Sequence, residues 1–185
     1  MNYSECNKIL KYLEKDQLEK LRAYVEERRL AYYYENARKL FPKYLKTNFS
    51  YYNIVDGKLL FTDGYSVYLL NDSSMLTNQY IERLKHQNAV RNNDTEERLF
   101  SFFDKFEAMS SDTVGEVETF DYKGYEVFNS DKSYSHVVNK NYYNNGEIFL
   151  GENTVYKVVK EEPVFLLDSP RGKGLVLGVK PYKRR

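Results

Sequence analysis

Two Asp-Gly pairs, at 56–57 and 63–64, constrain this chain more than any other feature. They punctuate Tyr51–Leu70, YYNIVDGKLLFTDGYSVYLL, and supply the positive φ angles that tight hairpin turns require. Around them Leu59, Leu60, Phe61, Tyr65, Val67, Tyr68, Leu69 and Leu70 are apolar or strand-favouring. The stretch predicts a three-stranded antiparallel meander with strands at about 50–55, 58–62 and 65–70. An apolar meander must be covered, so the rest of the chain is expected to pack on it. The fold class that follows is α+β, an antiparallel sheet packed with helices on one face and preceded by N-terminal helices.

Those helices come first in the chain. Ser4 caps a short one carrying Ile9, Leu10 and Leu13, and Asp16 with Glu19 opens a second in the manner of a capping box. Leu18, Leu21, Val25 and Leu30 lie at helical spacing there, while Glu26, Glu27, Arg28 and Arg29 read as a solvated face. From Leu30 to Leu45 the style continues, with Ala37, Leu40, Phe41 and Tyr44 on one side and Pro42 expected to end or kink the element. The polar side holds Arg38, Lys39, Lys43 and Lys46.

After the meander, 71–93 predicts a helix (Leu76, Tyr80, Ile81, Leu84) that decays into a polar loop, and Thr95 opens another with Leu99, Phe102, Phe103 and Phe106 in a stripe. Residues 117–127 predict a hairpin around Lys123-Gly124. A short helix is expected at 133–145, closed by Asn145-Gly146, with strands after it at about 147–150, 154–159, 163–168 and 174–179. VDGKLLFTDGYSVYLL can be laid on NNGEIFLGENTVYKVV with Gly57 over Gly146, so helix plus antiparallel strands is expected twice. The chain divides into a helical extension, 1–29, one α+β domain, 30–180, with a helical insertion at about 72–110, and a basic tail, 181–185.

Composition narrows the function. Twenty-eight basic against 27 acidic residues give a net charge of +1, which excludes a protein acting through bulk charge, so any electrostatic site must be local. A chain of 185 residues that is 42% hydrophobic can build a core. The single Cys6 cannot form an intramolecular disulfide, and neither a membrane-spanning apolar run nor a signal core is visible, so the expected compartment is the cytoplasm with no membrane partner.

The segment DGKLLFTDGYSVYL resembles the "DG-x-L-x-x-TDG-x-R-L" segment of bacterial sliding-clamp domains of the polymerase III beta-subunit type. VNKNYYNN…EEPVFLLDSPRGKGLVLGVKP is similar to the clamp ending, a short helix leading to strands of the form "P-x-x-F…L-x-L-P-V". The likeness covers about 30–180. It departs at Tyr65-Ser66, where the family has a basic residue, at Gly178, where its last proline would fall, and at 72–110. The resemblance implies two similar halves related by a pseudo-twofold, with helices toward the phosphates of duplex DNA. One domain cannot close a ring, so it also implies a homo-oligomer or a changed role, in a phage or other mobile element.

Catalytic signatures are sparse. His86 and His136 have no metal-ligand spacing around them, and the chain contains no GxxxxGK[ST], GxGxxG or GxSxG. Asp121-Tyr122-Lys123, with Asp112, Glu116 or Glu118 upstream, resembles the acidic-x-Lys strand of metal-dependent nucleases and makes Asp121 and Lys123 a minor nuclease alternative. The function expected is a non-enzymatic module, without metal or small-molecule cofactor, that binds DNA or a nucleic-acid-processing protein complex. Its phosphate contacts would be Arg38, Lys39, Lys43, Lys46, Lys132 and Lys140. The alternative is a phage-encoded protein inhibitor of a host nuclease such as a CRISPR effector, binding through the Tyr-rich surface.

Overall fold

The computed structural model describes residues 14–80, 93–109, 111–113, 117–118, 125–129, 135–159 and 162–178. Its meander forms as the turn residues dictate: β1 (Tyr51–Val55), β2 (Lys58–Thr62) and β3 (Ser66–Leu70) pair in antiparallel succession. Asp56 and Gly57 take φ of 51° and 77°, the two-residue turn whose twist matches that of the strands. At the second turn only Gly64 has positive φ, 92°. There Asp63 Oδ1 closes the loop by accepting from the backbone N–H of Tyr65 (3.0 Å) and Ser66 (2.9 Å).

A second meander follows late in the chain, β8 (Val155–Val159), β9 (Val164–Ser169) and β10 (Gly172–Leu177). Its last strand pairs antiparallel with the last strand of the first meander, so the main sheet has the order β1-β2-β3-β10-β9-β8, extended beyond β8 by β4 (Ser111–Thr113). A separate three-stranded sheet holds β5 (Val117–Glu118), β6 (Tyr125–Asn129) and β7 (Ser135–Asn139). The hairpin expected around Lys123-Gly124 is the β5–β6 pair, with Val117 opposite Phe128; the turn itself lies outside the described residues.

Among the described residues three helices cover the main sheet: α1 (Lys15–Tyr44), α2 (Asn93–Ala108) and α3 (Lys140–Leu150). Successive side chains of a strand point to opposite faces, and in the central strands both sets are apolar. Leu59, Phe61, Tyr68, Leu70, Phe165 and Leu167 pack with Ala37, Phe41 and Tyr44 of α1 and with Phe149 and Leu150 of α3. The alternate residues Leu60, Leu69, Leu166 and Leu175 pack with Leu99, Phe103 and Phe106 of α2. The first and last helices thus share one face, as expected for an α+β chain, and the helix of the 72–110 segment covers the reverse. Between α1, α3 and the sheet the core is aromatic. Phe61 lies 5.0 Å from Phe41 and 4.8 Å from Phe149, edge to face, and Tyr44 lies 5.2 Å from Phe149. Such pairs add about 0.5–1.5 kcal/mol each beyond burial.

Several boundaries move. The second helix opens at Lys15, two residues before the expected start, where Glu14 N–H donates to Gln17 Oε1 at 3.0 Å; Asp16 lies in its first turn. It runs on to Tyr44 through Pro42: the Arg38 carbonyl, which loses the N–H of residue 42 as its helical donor, accepts from Tyr80 Oη at 2.7 Å instead. Residues 71–80 make a turn and only the onset of a helix at 78–80. The helix expected at 133–145 is instead strand β7 followed by α3: Val137 and Val138 are β-branched and pair with Val127 and Glu126 of β6. Asn139 then caps α3 by accepting from Asn141 N–H at 2.9 Å.

Consequently 147–150 is helix rather than strand, and Asn145-Gly146 is helix interior rather than a cap. The cap is Gly151, with φ 95°. Gly146 serves packing, since a Cβ there would stand 2.5 Å from Leu167 Cδ2 and 2.7 Å from Tyr156 Oη. The internal repeat is not confirmed, because its alignment lays this helix glycine on the turn glycine Gly57. The first short helix, at 4–13, and the 181–185 tail lie outside the described residues.

Candidate functional site

α2 presents one phenylalanine more than the sheet can cover. Leu99, Phe103 and Phe106 follow a spacing of four and three and are buried, while Phe102, to the side of that stripe, is 43% exposed. Beside it Phe49, 72% exposed, lies over Gly64, whose missing Cβ leaves the room: one built there would meet Phe49 Cβ at 2.6 Å. Exposed Tyr65 and Leu177 complete the rim of a groove of about 350 Å³, floored by Leu99, Phe106, Val67, Val164 and Leu175. Among the described residues Arg98 is the one charged residue lining it, and it has no ion-pair partner there.

Asp63 fixes this rim to both helices on the far face. Its Oδ1 accepts from Ser66 Oγ at 3.1 Å in addition to the two backbone N–H groups, and its Oδ2 accepts from Tyr142 Oη at 2.9 Å. Thr47 Oγ1, just past α1, donates to the Asp63 carbonyl at 2.8 Å, and Asn145 Nδ2 of α3 donates to Tyr44 Oη at 3.1 Å. Burial, and then the Asp63 charge, push the Tyr142 hydroxyl pKa up, so it is a donor. A carboxylate buried under four donors is committed to holding the loop.

The basic residues separate into different roles. Arg38 Nε donates to the Met75 carbonyl at 2.7 Å, anchoring the segment after the meander to α1. Lys39 pairs with Glu35 at 2.6 Å on the exposed side of the helix, and this pairing lowers the Glu35 pKa. Lys43 and Lys46 are exposed near the end of α1, and exposed Lys140 opens α3. Lys132 lies outside the described residues, as do Asp121, Lys123, Glu116 and His86. Among the described residues no three His, Cys, Asp or Glu side chains are grouped to hold a metal, and no helix is long and apolar enough to cross a membrane.

No protein-family model matches the chain, and neither does any curated protein or any solved structure. The site must therefore be read from its own chemistry.

The basic set was legible from charge alone, but its partners Glu35 and Met75 O were not. The groove was missed because Phe49, Tyr65, Phe102 and Leu177 are far apart in sequence. Its only local signal is Phe102, which widens a stripe that Leu99, Phe103 and Phe106 already complete.

Proposed function

We propose that this chain is a non-enzymatic, clamp-like module that captures a nucleic-acid-processing protein by taking an apolar segment of it into the groove between α2 and the sheet. The observation that carries this reading is the cluster of Phe49, Tyr65, Phe102 and Leu177, four large side chains left in solvent around one concave apolar floor. Exposed apolar surface gathered round a concavity costs solubility and is the usual mark of a protein interface. Arg38, the partly buried cation of the basic set, is held by the Met75 carbonyl, which favours protein over nucleic acid as the main contact. Such a module acts in the cytoplasm of a cell carrying a phage or mobile element. The groove serves equally an antagonist that blocks a host nuclease such as a CRISPR effector.

Capture from bacterial host lysate, with and without DNase and RNase, tests the reading. Partners are expected to survive nuclease treatment and to be lost with Phe102→Asp, an exposed position whose change leaves the fold intact. Partners that vanish with nucleic acid, or that Phe102→Asp retains, would sink it. Inhibition of a captured nuclease would identify the antagonist. Cleavage of DNA or RNA by the purified chain with Mg²⁺, abolished in Asp121→Asn, would instead make it an enzyme.

A further inference from the structure

The groove between α2 and the sheet is apolar except on one shoulder of α2. Arg98 stands four residues before Phe102, so the two project from the same side of the helix, about 6 Å apart along its axis and about 40° apart around it. Both line the groove, as does Thr95 in the turn before. Among the described residues the Arg98 guanidinium has no ion pair or hydrogen bond, and no acidic side chain lines the groove. Lys105, farther along the same shoulder, faces Glu162 at 4.0 Å. Among the described side chains of α2 the acids are committed or turned away. Glu96 Oε2 accepts from Tyr51 Oη at 2.8 Å and from Asn53 Nδ2 at 2.7 Å, and Glu107 holds Lys173 at 2.6 Å. Glu97 and Asp104 fall about 100° and 120° round the helix from Arg98.

A guanidinium beside an apolar floor suits a carboxylate, which it grips through two parallel N–H···O bonds, and the aromatic rim shields that pair from salt better than open water does. The segments that precede α2 and follow Gly178, 81–92 and 179–185, carry seven cations and a single acid, Glu82, so the complementary anion is expected on another molecule. A groove of about 350 Å³ lies at the small end of binding sites and admits a few side chains rather than a helix about 10 Å across. In an extended segment, alternate side chains lie about 6.6 Å apart on one face, which matches the separation of Arg98 and Phe102. Resting on the reading of the groove as a capture site, we propose that the segment it takes is an extended one from another protein, with an Asp or Glu side chain two residues from the apolar residue that meets Phe102. Arg98 selects that carboxylate, and Phe102 with the apolar floor holds the rest.

The test uses the full-length protein and fluorescent peptides of one design, Gly-Ser ends around two Leu at alternate positions, with Glu, Gln or Lys two places before the first Leu. Anisotropy at low salt is expected to show the Glu peptide binding about fivefold more tightly than the Gln peptide and the Lys peptide binding more weakly than either, with the gap closing at high salt. Arg98→Gln should erase the Glu preference with the melting temperature unchanged, since Arg98 is exposed. Arg98→Glu should transfer the preference to the Lys peptide, and Phe102→Asp should weaken all three. Equal binding of the three peptides, still lost in Phe102→Asp, overturns the selection by Arg98 and leaves the groove reading standing. Binding of none of them overturns the proposal, while the lysate capture decides the groove reading independently. A melting temperature lowered by Arg98→Gln would place the guanidinium in the chain's own packing and overturn the proposal. Decanoate binding more tightly than the Glu peptide would overturn it in favour of a fatty acid.

Discussion

Gly57 and Gly64 share a local sequence and differ in what surrounds them. Both have positive φ, but a Cβ at Gly57 would meet open space, whereas one at Gly64 would stand 2.6 Å from Phe49 Cβ. Gly57→Ala is expected to cost about 1 kcal/mol, from backbone strain alone. Gly64→Val should cost about 1–3 kcal/mol and displace Phe49 from the groove. Equal melting temperatures for the two variants would contradict this packing. The buried tyrosines predict a pH dependence. Burial pushes the Tyr44 and Tyr80 hydroxyls up to about 12, and raises those of Tyr68 and Tyr156 as well. The folded chain thus keeps protons that the unfolded chain gives up near pH 10, so this stability is complete below about pH 10 and is lost as pH rises toward 12. The urea midpoint should hold to about pH 9.5 and fall above it. A midpoint constant to pH ~12 would refute the burial of these phenols.

At the scale of elements, α2 separates packing from binding along one helix. Phe103, buried against the sheet, should cost about 3–5 kcal/mol as Phe103→Ala. Phe102→Ala, one residue away, should cost less than about 1 kcal/mol and yet weaken partner capture. Thermal melts beside the capture assay check both; comparable destabilisation by the two would mean that Phe102 belongs to the core. The 135–150 segment teaches the complementary point. Its periodicity is compatible with one helix, and pairing of Val137 and Val138 with β6 is what makes the first part a strand.

For the molecule as a whole, direct contact with nucleic acid is a weaker proposal than the groove. With Arg38 Nε held by the Met75 carbonyl, Lys43 and Lys46 offer about two phosphate contacts. The logarithm of affinity should then fall with the logarithm of salt at a slope of about −1.8, with little base preference. Lys43→Glu with Lys46→Glu should abolish such binding and truncation after Tyr182 should leave most of it, as read by anisotropy with labelled duplex. Binding that follows the truncation instead belongs to the tail.

The strands of both meanders and the apolar stripe of α2 could be written down from sequence, because Asp-Gly turns, alternation and helical spacing are properties of a few consecutive residues. Net charge likewise confined any electrostatic site to a patch. Which face each side chain met was beyond that reach. Gly146 reads as a cap until Leu167 and Tyr156 are seen to need its missing Cβ, and Arg38 reads as a phosphate ligand until Met75 takes it. The groove exists because Phe49, Tyr65, Phe102 and Leu177 converge from four parts of the chain. Local pattern determines what a segment can form, but burial and partnership depend on residues distant in the chain, so the tertiary structure alone decided them.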